Sequence, residues 1–339
     1  MCRRLTILAA VALVTVATAT SGRAQTSFER LPREKFDVIA PPERVQGERG
    51  TMRVYQAACR VGPTNWARRR IVDIAVQEWA YFGMQTIDAT HVEKRVLPPG
   101  LVPDALNPEL AQPRIVRQYP RLGTLEYDPR LDVSIGGYWS ATPEGPRALN
   151  RQNSAWNGPG GSALYWIEPW SAAFVSWVMC EAGLGDMAQF RRSSAHRDYI
   201  DQAIRARDGN APDAAYAAYD SGEAPIAPGD LLCNSRAGTD YRSLADRRND
   251  PARTALTHCD IVVKVEPARA LVIGGNVDQS VSLTELPLRK DEKPYPHPPD
   301  ESAIDGARTI FAHLSLRADP VEPSALDNSP TVKALAQTR

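Results

Sequence analysis

Three polar residues stand out by type and setting. Ser171 opens the apolar run 171–182, His258 opens the strand-like run 258–266, and Asn276 follows Gly274-Gly275. A hydroxyl at a helix N-terminus can simply cap the helix, worth ~1 kcal/mol. It can also attack, because the helix dipole and the free N–H groups of the first turn favour negative charge there. An imidazole on a strand can be structural or can move a proton. Strand alternation puts His258 and Asp260 on one face and Cys259 on the other.

The elements that must hold these residues are legible in outline. Residues 171–182 read as a helix closed by Gly183. Residues 68–83 read as another, with Ile71, Ile74, Ala75, Glu78 and Phe82 at helical spacing and Gly83 as its stop. Ser193 and Ser194 are N-cap candidates for a helix reaching about Arg205. After Pro228-Gly229-Asp230 the character changes to strands, at 231–234, 258–266, 270–273 and 277–283, with Gly274-Gly275 as a tight turn. Residues 25–61 read as a polar strap with a short strand-like stretch at 51–55, and residues 62–286 as the main domain. Within it, residues 87–150 are proline-punctuated and aperiodic, which predicts a long surface insertion. Residues 157–162 are a glycine-rich hinge. The stretch 287–339, rich in proline and charge, reads as a largely disordered tail in which 310–316 could add one short element.

Composition narrows the class. The 339 residues carry 40 basic and 40 acidic side chains, so no basic excess points to nucleic acid. At 43% hydrophobic, the chain can bury a sizeable core. Residues 1–24 have a basic start at Arg3-Arg4, an apolar run over 5–19 and small residues before Ala24, the pattern of an exported protein's leader. That run is shorter than the ~20 residues a membrane span needs, and Cys2 precedes it, so release without a stable membrane anchor is expected. Beyond Ala24 remain Cys59, Cys180, Cys233 and Cys259, an even number that favours disulfides in an exported chain.

At this point the chain resembles the papain-like cell-wall hydrolases of the NlpC and CHAP type, closest to an uncharacterised bacterial branch of them. The residues that carry the resemblance are Pro169-Trp-Ser-Ala-Ala-Phe-Val-Ser-Trp177, Ser194-Ala-His196, Pro228-Gly-Asp-Leu-Leu232, His258-Cys-Asp-Ile-Val-Val263 and Gly274-Gly-Asn276, with Glu78-Trp79 on the opening helix. The resemblance implies an α+β fold of papain-like topology, a small antiparallel sheet packed on a central helix. In that superfamily a cysteine begins the central helix, a histidine faces it from a strand, and a polar third residue orients the histidine. Position by position, Ser171 occupies the nucleophile's place, His258 the base's and Asn276 the third residue's. Serine in place of cysteine changes the chemistry. A thiol with pKa ~8.5 ionises easily beside a histidine, whereas an alcohol loses its proton only during attack and needs a well-oriented base.

The expected function is hydrolysis of an amide bond in peptidoglycan stem peptides, in the periplasm or outside the cell, without cofactor or metal. The alternative is a catalytically degenerate module that binds cell-wall peptide or a partner hydrolase through the same cleft. Trp139, Trp170 and His196 are the candidate substrate-binding residues. Ser194-Ala-His196 followed by Asp201 is also faintly similar to zinc carboxypeptidases, but helix capping accounts better for it. Cys233 with Cys259, on neighbouring strands, is the expected first disulfide, and Cys59 with Cys180 the second, pinning the strap to the central helix.

Overall fold

The structure, a computed structural model, describes residues 28–93, 114–159, 165–236, 239–250, 255–300 and 308–337. The expected leader and residues 160–162 of the glycine-rich hinge lie outside the described residues. The helices are α1 (Ala67–Tyr81), α2 (Asp132–Trp139), α3 (Gly145–Trp156), α4 (Ser171–Ala182), α5 (His196–Arg207), α6 (Leu244–Asn249) and α7 (Pro330–Gln337). The first strands are β1 (Val45–Gln46), β2 (Arg53–Val54), β3 (Gln85–Asp88), β4 (Val92–Glu93), β5 (Arg114–Ile115) and β6 (Gln118–Arg121). The later ones are β7 (Tyr216–Tyr219), β8 (Leu231–Ser235), β9 (Thr257–Glu266), β10 (Arg269–Val277), β11 (Ser280–Pro287) and β12 (Ile310–Leu316).

Every residue of α4 is buried, as its all-round apolar sequence requires, so it can only be a core helix. It packs on α1 and α2 and on strands β9 and β10, and Gly183 ends it at φ 104°. The main sheet has eight strands in the order β6-β3-β11-β10-β9-β8-β12-β7. Its pairings are antiparallel except β11 with β3. The class is therefore α+β as expected, but the sheet is large rather than small. Alternation along β9 sends Cys259, Ile261 and Val263 into the main core beside α4, and Val262 into a second apolar cluster with Leu232, Val272 and Ile310.

Four sequence expectations are corrected. Ile310–Leu316 is not a stray element in a disordered tail: β12 inserts between β8 and β7, and Ala325 and Leu326 join the core. The stretch 87–150 is not all surface insertion, since Leu131, Ile135, Tyr138 and Leu149 are fully buried. Glycines at 136 and 137 hid that helix from a periodicity reading, yet Gly137 is required because a Cβ there would lie 2.0 Å from the Pro41 carbonyl oxygen. Gly274-Gly275 is not a turn. β10 continues through it with a register shift against β11 between Gly274 and Val277, and the reversal falls at Asp278-Gln279, both at positive φ. The α5 helix begins at His196, and neither serine before it is the N-cap residue.

The strap is built into the fold. Arg30 holds Glu78 through Nε and Nη2 at 2.6 and 2.7 Å, and the fully buried Arg44 pairs with Glu181 at 2.7 Å. Cys59–Cys180 then ties the strap to α4, and Cys233–Cys259 joins β8 to β9, both as expected. Among the described residues no helix is long and apolar enough to cross a membrane.

Candidate active site

Ser171 is the first residue of α4, and the N-cap position belongs to Trp170. Its hydroxyl is thus not a cap. Instead Ser171 Oγ lies 2.7 Å from Nε2 of His196, the first residue of α5, so two helix N-termini meet at this pair. Behind His196, the backbone N–H of Cys259 donates to Nδ1 at 3.2 Å. This N–H is free because β10 stays paired with β9 only as far as Ile273↔Ile261, and the imidazole takes the place the next strand would fill. Tyr199, one turn along α5, also hydrogen-bonds His196 Nδ1. Burial, then Asp260 and Asp198, push the Tyr199 hydroxyl well above its ordinary value, so it is a donor.

These contacts fix the tautomer. With two donors on Nδ1, the ring proton must sit on Nε2, and His196 donates to Ser171 Oγ. Burial, with His258 and Arg236 adding to it, holds this imidazole well below the ordinary histidine value, so it stays neutral. His196 is a donor at this site, not a free base.

His258 has the complementary arrangement. Its Nε2 lies 2.6 Å from Asp260 Oδ1, two residues along the same strand face, and its Nδ1 is buried with no partner. Burial pushes the Asp260 carboxyl up, but His258, Arg308 and Arg236 outweigh burial and hold it below the ordinary value. A carboxylate on Nε2 places the proton there and leaves Nδ1 a bare lone pair. The His196 and His258 rings touch, with centroids 4.9 Å apart. A Cβ on Gly274 would lie 1.9 Å from Asp260 Oδ1, and one on Gly275 2.5 Å from the Phe174 Cβ. The glycine pair therefore lets β10 pass between the dyad and α4.

The other expected site residues divide. Asn276 does not orient His258: its Nδ2 donates to Glu126 at 2.6 Å, and Asp260 holds the imidazole in its place. Trp170 is not a groove residue. It is fully buried against Phe82 and Tyr138, and its indole N–H donates to the same Glu126 at 2.7 Å. Burial raises the Glu126 carboxyl against the pull of those donors. Trp139 does line the cleft, a cavity of about 400 Å³ whose walls include Ser171, His196, Arg236 and Thr257. A smaller space of about 180 Å³ shares Trp139, Glu168 and Ser194 with it. Asp201 is taken by Arg247 at 2.8 and 2.9 Å, which removes it from any grouping with His196. Asp260, Tyr199 and Glu126 were missed as site residues. Only Asp260 had a signal, its shared strand face with His258.

A sequence family described as "Uncharacterized protein conserved in bacteria (DUF2272)" matches residues 131–314, more than half of the chain. That span contains α2 to α6, the strands from β7 to β11 and most of β12, and thus Ser171, His196, His258 and Asp260. No curated protein and no solved structure matches.

Proposed function

The chain belongs to the DUF2272 family of uncharacterized bacterial proteins, and from that premise we propose that it is an exported cell-wall amidase or peptidase of papain-like architecture. Its reaction is hydrolysis of an amide bond in peptidoglycan stem peptides. The observation that carries this reading is the buried lone pair on His258 Nδ1, backed by Asp260 and in ring contact with the histidine that holds Ser171. Because Ser171 Oγ accepts from His196, its own proton is available to a second acceptor, and His258 Nδ1 is the unpartnered ring nitrogen beside that pair. Ser171 Oγ attacks the carbonyl carbon and passes its proton to His258 Nδ1, which delivers it to the leaving amine. Water then releases the acyl group by the same route in reverse. The first N–H groups of α4, which have no intrahelical acceptor, would stabilise the oxyanion formed on attack by Ser171. Two disulfides support an oxidising compartment, the periplasm or beyond.

A second reading keeps the cleft and drops the chemistry. The direct Ser171–His196 bond favours it, because no hydrogen bond joins Ser171 to His258 in the resting site. Incubating the purified protein with peptidoglycan and analysing the fragments by mass spectrometry decides between them. New amine and carboxyl ends support hydrolysis; intact stems that co-sediment with the protein support a binding module.

A further inference from the structure

The two disulfides sit in different surroundings. Cys233 and Cys259 are both fully buried in the main core, on the central strands β8 and β9. In the other pair Cys180 is fully buried on α4, while Cys59 is partly exposed and follows the exposed Ala57 and Ala58. Residues 56–60 belong to no helix or strand. A thiolate arriving from solvent therefore meets Cys59 and leaves Cys180 as the sulfur to be expelled.

Arg44 is placed to receive that sulfur. Its Nη2 lies 3.1 Å from Cys180 Sγ and 3.9 Å from Cys59 Sγ. The guanidinium is fully buried and held by Glu181 at 2.7 Å, by Ser140 Oγ at 2.9 Å and by the Ala58 carbonyl at 2.9 Å. It is thus in position before the bond breaks. A guanidinium in contact with sulfur lowers the thiol pKa, and a leaving thiol of lower pKa departs faster. Other charges bear on the same place. Cys180 is in the last turn of α4, whose dipole disfavours a thiolate, and Glu181, Asp37 and Asp186 add negative charge. Arg60, Arg70 and Arg192 offset them from the strap, from α1 and from the chain after α4. The direct contact with Arg44 decides the balance, because a charge-assisted hydrogen bond outweighs the end of a helix dipole.

We infer that Cys59–Cys180 is a thiol-exchange site, with Cys59 as the sulfur attacked and Arg44 as the group that stabilises the Cys180 thiolate; its co-reactant is a small reduced thiol of the glutathione class. The incoming thiolate bonds to Cys59 Sγ, the Cys59–Cys180 bond breaks, and its electron pair leaves on Cys180 Sγ. A second thiolate then attacks the glutathione sulfur of the mixed disulfide and releases Cys59. Two glutathione thiols are oxidised to one disulfide, one protein disulfide is reduced, and the two thiol protons end on the two cysteines. The exchange cuts the covalent tie between the strap and α4, leaves Cys233–Cys259 closed, and does not depend on hydrolysis at Ser171.

The test treats the folded protein with reduced glutathione, quenches with acid at intervals, alkylates free thiols and maps the peptides by mass spectrometry. Cys59–Cys180 is expected to open roughly a hundredfold faster than Cys233–Cys259, with glutathione caught on Cys59 and a free thiol at Cys180. Arg44→Lys keeps a cation beside the sulfur and should keep most of that rate. Arg44→Gln with Glu181→Gln removes both charges and should slow opening about tenfold. If melting curves show that the paired variant does not fold, the wild-type map and rates decide alone. Glutathione on Cys180, equal rates for the two disulfides, or an undiminished rate in the folded paired variant overturns the inference.

Discussion

His258 donates its Nε2 proton to Asp260 at 2.6 Å and keeps a buried, unpartnered Nδ1, while His196, its ring centroid 4.9 Å away, carries the same Nε2 proton but has both ring nitrogens engaged. On His196 the Nδ1 side is filled by Cys259 and Tyr199, and Nε2 faces Ser171. Two histidines in contact thus divide the labour, one as donor and one as base. The predictions below follow from that division and from the packing that enforces it.

Ser171→Ala is expected to abolish cleavage of peptidoglycan at a stability cost of about 1–3 kcal/mol, because the buried His196 Nε2–H loses its acceptor although Trp170 keeps the N-cap position. Ser171→Cys should retain or raise activity, since a thiolate suits a helix N-terminus beside a histidine. Fragment analysis by mass spectrometry reads both. Equal cleavage by wild type and Ser171→Ala would place the chemistry elsewhere.

Asp260→Asn and Asn276→Ala separate the observed orienting residue from the expected one. The first should slow turnover by roughly 10²- to 10⁴-fold, the range general acid–base catalysis supplies. The second removes a 2.6 Å donor from Glu126 and should cost stability, about 1–3 kcal/mol, with the rate largely kept. Steady-state rates and denaturant melts distinguish these outcomes, and a reversed pattern would reinstate Asn276.

Reduction should destabilise the protein in two increments. The chain-entropy argument gives ~3.5 kcal/mol for the Cys233–Cys259 loop, whose ends are 26 residues apart, and roughly 5 kcal/mol for Cys59–Cys180, 121 apart. Cys233→Ser with Cys259→Ser should also lower activity, because the cross-link holds the stretch of β9 whose backbone N–H at position 259 fixes the His196 tautomer. Melting curves with and without reductant check the first statement and cleavage rates the second.

Asp73 on α1 is a pH-dependent weak point. Burial, only partly offset by Arg69, pushes its carboxyl up to about 7, and its Oδ1 has no hydrogen-bond partner. The folded state therefore holds this proton more tightly than the unfolded chain, so stability is full below the unfolded pKa near 4 and declines as pH rises through about 7. Asp73→Asn should raise the melting temperature by a few degrees at pH 8 and change it little at pH 4. No difference between the two pH values would contradict the assignment.

Much of this site was readable before any coordinates, and the rest was hidden for identifiable reasons. The apolar run 171–182 and its Gly183 stop predict α4 to the residue, and strand alternation already put Asp260 beside His258. Asn276 looked like the orienting residue because the family resemblance puts it in the third residue's place, after a glycine pair that reads as a turn. Those glycines are instead demanded by the nearness of Asp260 and Phe174, and their effect is to carry Asn276 past the dyad to Glu126. The role of His196 was invisible because it depends on where β10 stops pairing with β9, a long-range event with no local pattern. β12 was obscured by its flanks, since a short apolar run between proline- and charge-rich stretches gains its burial only by joining β8 and β7.

The most direct test of the account is the rate at which diisopropyl fluorophosphate modifies Ser171, followed by intact mass and peptide mapping. The account predicts a single adduct on Ser171 in the wild type. Labelling should slow at least a hundredfold in His258→Ala and strongly in Asp260→Asn, and continue in His196→Gln at a rate well above that of His258→Ala. Labelling that is indifferent to His258 but lost in His196→Gln would contradict the central claim, because His196 would then be the base that activates the serine.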